Sequence, residues 1–229
     1  MAQSPNSSRP ILKTRSSLSA AHPWHGVPIG DEMPGVINCF IEVVPHDTVK
    51  FELEKFSGIL KVDRPQLFSN RCPMPYGLVP QTLCLARVAA RCNEVTHRSD
   101  IVGDGDPMDI CVVSEQNIPN GNILMTARVI GGLRMIDRDE ADDKIIAVLK
   151  ADPAYLDWQD LRDCPRPFID RLKHYFLTYK QQPGQVSPCE IAEEYGVEEA
   201  RQMVNLAHQD YLDKFGDLAT LLRNTMRLD

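Results

Sequence analysis

The stretch DGDPMDI, residues 104–110, puts Asp104, Asp106 and Asp109 within six positions of a chain whose net charge is already −7. Three carboxylates on one tight Gly/Pro turn repel one another unless something positive holds them. An all-oxygen cluster of this kind suits a hard divalent cation, Mg2+ or Ca2+. A solvated acidic turn, capped by its own Asp side chains, is the simpler alternative. An EF-hand loop fits poorly, because Asp109 stands where its sharp turn wants Gly and Pro107 interrupts it. Two further stretches mix the signs. In DRDEADDK, residues 137–144, five acids precede a lysine, and Asp142 and Lys144 share a face if the chain is extended. VKFEL likewise places Lys50 and Glu52 on one face. Carboxylates that hold metal, next to cations that hold phosphoryl oxygens, are the ingredients of phosphoryl transfer.

Short strands should position these groups. VINCFIEVV is β-rich, and VKFELEK alternates Val49, Phe51 and Leu53 against Lys50, Glu52 and Glu54. GILKV after Ser57-Gly58 completes a hairpin with a charged outer face. RCPMPYGLVP has three prolines in ten residues and reads as irregular loop. DICVVSE, NILMTARVIGGLRMI (bent at Gly131-Gly132) and DDKIIAVL read as further strands. Helices come late. RPFIDRLKHYFLTYK stripes Phe168, Leu172, Tyr175, Phe176 and Tyr179 along one face, and VEEARQMVNLAHQDYLDKF stripes Ala200, Val204, Ala207, Tyr211 and Phe215. Strands followed by two helices predict a mainly β, α+β fold: a small β-barrel with C-terminal helices packed outside.

Composition narrows the function. The 229 residues are 43% hydrophobic and 25% charged, ordinary for a globular chain. No apolar run reaches the ~18 residues of a membrane helix. The acidic balance disfavours a binder of nucleic-acid backbone, which draws its affinity from excess Lys and Arg. It does not exclude a small anion, since a metal ion can supply positive charge. Seven cysteines, with no C-x-x-C, predict reduced thiols in a cytoplasmic compartment rather than zinc or disulfides. Residues 1–20 are Ser-rich and basic without acids, which predicts a disordered tail, with an organellar transit peptide as the alternative. Residues 21–229 are expected to form one domain.

The ordered set IEV, KFE, VDR, YG, DGDPMDI, DxxxxDxK and YK, running roughly from Glu42 to Lys180, resembles the family I soluble inorganic pyrophosphatases. AHPWHG near the start and CP before YG are similar to a divergent bacterial branch. The resemblance implies an OB-like five-stranded barrel with flanking C-terminal helices, hydrolysis of pyrophosphate to two phosphates, and a homo-oligomer, hexamer or dimer. It implies two or more Mg2+ ions per site, with Mn2+ as the alternative ion. By it, Asp104, Asp109 and Asp142 would hold the activating metals, with Glu42, Glu52 and Asp137 completing the acidic shell. Asp106 would be the general base. Lys50, Arg64, Lys144, Tyr179 and Lys180 would bind phosphate oxygens, and Tyr76 would bind in the same site and help position Asp106.

The chain departs from the family pattern at three places. Cys72 stands where a tyrosine is usual, Arg138 where an acid is usual (with Asp139 or Glu140 as the acid that could substitute), and an insert of some eighteen residues around LARVAARCNEVTHRS separates Tyr76 from Asp104. The insert is expected to be a surface loop, with a lid or an oligomer contact as alternatives. The first two departures leave open a catalytically weak metal- and phosphate-binding relative, and the barrel leaves open an OB-type nucleic-acid binder.

Overall fold

The structure is a computed structural model that describes residues 22–217. The expectations for the N-terminal tail therefore lie outside the described residues. Among the described residues, ten strands and three α-helices follow in the order β1 (Val36–Val43), β2 (Val49–Leu53), β3 (Leu60–Pro65), β4 (Tyr76–Leu78), α1 (Ala86–Thr96), β5 (Val102–Gly103), β6 (Asp109–Val113), β7 (Ile123–Asp137), β8 (Glu140–Ala141), β9 (Lys144–Leu149), α2 (Arg166–Thr178), β10 (Cys189–Gly196) and α3 (Val197–Phe215).

The pairing β1-β4-β6-β9-β7 returns to β1, so five strands close on themselves. All neighbours in this ring are antiparallel except β6 and β9. This is the predicted OB-like arrangement, and closure removes the free edges that five short strands would otherwise expose. Residues on β6 and β9 alternate with period two. Ile110, Val112, Ile145 and Ala147 belong to one apolar cluster, and Cys111, Val113, Ile146 and Val148 to a second. The first cluster includes Val204 and Ala207 of α3, and the second includes Leu172 and Phe176 of α2. Both helical stripes are therefore spent on the barrel. β7 can serve β1, β9 and β10 in turn because its register slips between Val129 and Gly131, where the paired glycines predicted a bend.

Three expectations are corrected, and one strand, β10, was not expected. The insert is not a loop: residues 86–96 form α1, so helix also precedes the signature loop. Its N-cap residue, Leu85, has no side chain able to cap. The buried carboxylate of Asp210 on α3 replaces the cap, accepting the N–H groups of Leu85 (3.0 Å), Arg87 (3.1 Å) and Val88 (3.3 Å). The proline-rich stretch contains a strand, β4, because its prolines flank Tyr76–Leu78, with Pro73 and Pro75 before and Pro80 after, rather than interrupt the ladder. β10 lacked a strong alternating pattern, since it adds to the rim of the sheet beside β7 and keeps much of its surface in water. The charged face of the β2–β3 hairpin is not turned to bulk solvent; Lys50 and Glu52 line a cleft.

Candidate active site

The signature loop is built from the backbone outward. Gly105 adopts φ +75°, a conformation that costs glycine nothing, and this turns the chain between Asp104 and Asp106. Asp104 Oδ1 accepts the Asp106 N–H at 2.8 Å. The stem of the insert clamps the loop from behind. Cys84 N–H donates to the Asp106 carbonyl at 2.8 Å, and Gly105 N–H donates to the Cys84 carbonyl at 3.0 Å. Asp109 then enters β6, whose parallel pairing sets it opposite Lys144 at the start of β9. The β2–β3 hairpin covers one side, tied down where Leu53 N–H donates to Glu42 Oε1 at 2.6 Å. The end of α2 supplies Tyr179 and Lys180 from the other side.

These elements enclose a cleft of about 330 Å³. All thirteen residues singled out by sequence line it. Lys144 is 1% exposed and its ammonium bridges Asp109 and Asp142. Lys180 pairs with Asp137, and Lys50 lies 3.2 Å from Asp63. Arg64 also pairs with Asp63, and its guanidinium sits over the Tyr179 ring, 5.5 Å from the centroid. One predicted contact differs. Tyr76 donates its hydroxyl to Asp109 Oδ2 at 2.6 Å and so positions Asp109, not Asp106.

Three further charged groups line the cleft: Lys55, Asp63 and Glu140, the last of them one of the two acids expected to stand in at Arg138. Asp63 was legible as the middle of VDR. Lys55 was not, because its position depends on how the hairpin folds over the barrel. Glu140 bears on the Arg138 departure. Arg138 takes φ +61° in the turn after β7, while Glu140, two residues on, faces the cleft and restores a carboxylate. Cys72 is buried in the α2 cluster and does not line the cleft. Its burial pushes the thiol up to about 12, so it stays protonated.

With the three newcomers, nine carboxylates face five cations, a formal charge of −4. Burial first, then neighbouring acids, shift the carboxyls. Glu42 rises to about 8 through burial and the nearby Asp109. Asp104 rises to about 8 through burial, Asp142 and Asp109. Asp142 rises to about 6 through burial, which outweighs the opposing Lys144. Burial also pushes Tyr76 and Tyr179 upward, keeping both phenols as donors. Asp137 Oδ1 is buried without a hydrogen-bond partner among the described residues. Among the described residues, no three acids, histidines or cysteines already converge as a ligand set. The Lys144 ammonium lies between Asp109 and Asp142 instead, and Lys180 pairs with Asp137. The donors are all oxygen and lack positive charge, which fits hard divalent cations.

An acidic cleft at the rim of a closed five-stranded barrel, with cations interleaved among its acids, defines the class of metal-assisted phosphoryl-transfer proteins. Comparison with known proteins narrows the class. Residues 39–212 match the family described as inorganic pyrophosphatase. An inorganic pyrophosphatase from Chlamydia caviae is 50% identical over 209 residues, covering 89% of this chain and 97% of that protein. A soluble inorganic pyrophosphatase from Oryza sativa subsp. indica is 39% identical over 71% of this chain and 67% of its own length. Among solved structures, the Thermus thermophilus inorganic pyrophosphatase superposes with TM-score 0.69 at 26% identity, covering 83% of this chain and 98% of that one. The Helicobacter pylori inorganic pyrophosphatase gives TM-score 0.64 at 30% identity, over 77% and 94%. The chain belongs to the inorganic pyrophosphatase family and is an enzyme of that family. The weak-relative reading loses its motive, since Cys72 lies outside the cleft and Glu140 lies inside it. No described helix is long and apolar enough to cross a membrane.

Proposed function

We propose that the chain hydrolyses inorganic pyrophosphate to two orthophosphates in this cleft, with Asp106 as general base and Mg2+ as the working metal. The observation that carries the reading is the convergence of all thirteen predicted groups, from seven separate segments, on one cleft. Asp104, Asp109 and Asp142 would hold the metal, with Glu42, Glu52 and Asp137 around them. Bound there, divalent ions supply the positive charge the cleft lacks and acidify the attacking water. Mn2+, with similar oxygen preference, would substitute in part.

The chain's own groups do the rest. Asp106 sits at the mouth, half-exposed, where a carboxylate can reach water on the substrate side and take its proton. Lys50, Arg64, Lys144 and Lys180 meet the phosphoryl oxygens and stabilise charge that builds on the leaving phosphate. Tyr179 donates its phenol to the same oxygens, held by α2 against Phe176. Tyr76 fixes Asp109. As pyrophosphate enters, Lys144 and Lys180 exchange carboxylate partners for phosphate, so the resting ion pairs keep both ammonium groups in place until they are needed. A homo-oligomer, dimer or hexamer, and a cytoplasmic setting suited to seven unpaired thiols complete the reading.

The test is phosphate release from pyrophosphate in a Mg2+ and Mn2+ series, for the wild type and Asp106→Asn. Loss of a positioned general base should lower kcat by 10²–10⁴-fold, on the order expected for such catalysis. Release by the variant at the wild-type rate would remove Asp106 from that role. Light scattering on the same preparations reads the oligomer.

A further inference from the structure

We propose that Lys55 is a positioning residue for Asp106, and that the HPWHG segment, residues 22–26, exists in part to hold it there. The proposal rests on the reading of Asp106 as general base. Lys55 stands on the turn between β2 and β3 and lines the cleft. Its ammonium pairs with Asp106 Oδ1, and the two side chains are 46% and 40% exposed, at the rim rather than the floor. Among the described residues, Lys55 is the one partner of the Asp106 carboxylate. The four other cleft cations go elsewhere: Lys144 to Asp109 and Asp142, Lys180 to Asp137, Lys50 and Arg64 to Asp63. Among the described residues, Asp106 Oδ2 accepts no hydrogen bond. One oxygen is thus pinned by an ammonium while the other keeps its lone pairs for a water proton, the division of labour a general base needs.

A lysine on a hairpin tip can orient a base only if the tip is fixed. The β2–β3 hairpin is a separate two-stranded sheet, so the barrel ladder does not fix it. Residues 22–26 do. His22 Nε2 lies 3.2 Å from the Lys55 carbonyl, to which it can only donate. The same ring accepts the N–H groups of Trp24 (3.2 Å) and His25 (3.3 Å) at Nδ1, so both contacts require one tautomer, with the proton on Nε2. The ring also packs against the turn: a Cβ at Gly58 would come within 2.9 Å of His22 Cδ2. The segment is in turn anchored to the body. Trp24 donates its indole N–H to the Thr82 carbonyl at 2.8 Å, and His25 Nδ1 lies 2.8 Å from the Tyr211 hydroxyl. A continuous path therefore runs from α3 through residues 22–26 to Lys55 and Asp106.

The experiment measures kcat and KM for pyrophosphate with saturating Mg2+ in wild type, Lys55→Met, Lys55→Arg, His22→Ala, the double variant His22→Ala/Lys55→Met, and Asp106→Asn. Melting curves confirm that each is folded at the assay temperature. Lys55→Met should lower kcat about tenfold, the low end for a charge-assisted hydrogen bond that is half-exposed, with KM changed less than about threefold. Lys55→Arg should recover most of the loss. His22→Ala should lower kcat alone but add nothing on top of Lys55→Met, since it acts through that side chain. A Lys55→Met variant with wild-type kcat, or one that raises KM only, overturns the proposal, the latter by making Lys55 a substrate contact. Additive loss in the double variant overturns the role given to His22. Asp106→Asn separates the failures. If it is inactive while Lys55→Met is unimpaired, only this proposal falls; if it stays active, the reading of Asp106 falls with it.

Discussion

Removing metal from the cleft should make stability fall as pH rises. Glu42 is 6% exposed, and burial together with Asp109 raises its carboxyl from an ordinary 4.5 to about 8. Between those values the folded protein holds a proton that the unfolded chain has already released. The folded state then binds more protons, so unfolding free energy decreases with pH across that window. For Glu42 alone the loss between pH 5 and 8 is roughly 3–4 kcal/mol. Asp104, also raised to about 8, acts in the same direction, but the two share Asp109 as a neighbour and do not add in full. Water entering the cleft mouth relaxes part of the penalty. Half of the Glu42 figure still corresponds to a drop of about 4–7 °C in Tm for a chain of this size.

The assay is a set of melting curves in a chelator at pH 5.5, 6.5, 7.3 and 8, repeated in millimolar Mg2+ and with Glu42→Gln. The chelated wild type should lose Tm steadily over the range. Mg2+ binds the ionised carboxylates, so it should raise Tm more at pH 8 than at pH 5.5 and flatten the curve. Glu42→Gln keeps an acceptor for Leu53 N–H without a titrating group, so its chelated curve should be shallower. A chelated Tm that is flat or rises from pH 5.5 to 8, or a Glu42→Gln slope equal to the wild type, would refute the account of repulsion in the cleft.

Three shorter predictions follow from single contacts. Cys72→Ala should leave kcat within about twofold, because the thiol lies outside the cleft, and cost about 1–2 kcal/mol in urea unfolding from the small cavity left beside α2. Gly103→Ala should be severely destabilising, by more than about 2 kcal/mol, because its Cβ would sit 2.4 Å from the Cys84 carbonyl oxygen, a backbone atom that cannot yield without moving the loop clamp. Lys144→Met should abolish measurable turnover, a fall of at least about 10²-fold, while leaving Asp109 and Asp142 free to bind metal; calorimetry should then show Mg2+ binding retained.

What sequence could reach here follows from which contacts are local. The Asp104–Asp109 turn, the shared face of Asp142 and Lys144 and the stripes on α2 and α3 are set by spacing within one element, and each stands where spacing put it. α3 runs over the nineteen residues its apolar repeat marked. The order of motifs carried the family and, through it, the closed barrel. What sequence could not reach depends on distant partners. The insert looked like a loop because Leu85 cannot cap a helix, and the missing cap is Asp210, over a hundred residues later. Lys55 looked like an ordinary hairpin charge until the hairpin was laid over Asp106. Tyr76 could not be assigned between Asp106 and Asp109 by sequence, since β4 pairs with β6 in a register that brings its hydroxyl to Asp109.

The insert then reads as part of the machinery rather than as decoration. An acidic loop that must keep three carboxylates close, each disfavouring the others, tends to spread, and only its backbone can resist. Here the resistance comes from outside the loop. The stem at Cys84 exchanges two backbone hydrogen bonds with Gly105 and Asp106, and Thr82 accepts the Met108 N–H through its hydroxyl at 2.9 Å. The stem is fixed because α1 is, and α1 is fixed at both ends. Asp210 caps its start, and near its middle Arg91 pairs with Glu199 through two hydrogen bonds of 3.0 and 2.7 Å, while Asn93 closes its end on the Ile101 backbone. Glu199 also receives Arg134, a fully buried cation that faces Asp143 at 3.6 Å, and Asp143 lies between Asp142 and Lys144 in sequence. Along a strand, neighbours point to opposite sides, so the same short segment presents Asp142 and Lys144 to the cleft and Asp143 to the buried arginine. Both acidic arms of the site, residues 104–109 and 137–144, are therefore braced from behind by the same helix pair, α1 and α3. A chain that lengthens the path into its signature loop gains a second set of contacts with which to hold that loop's charges together.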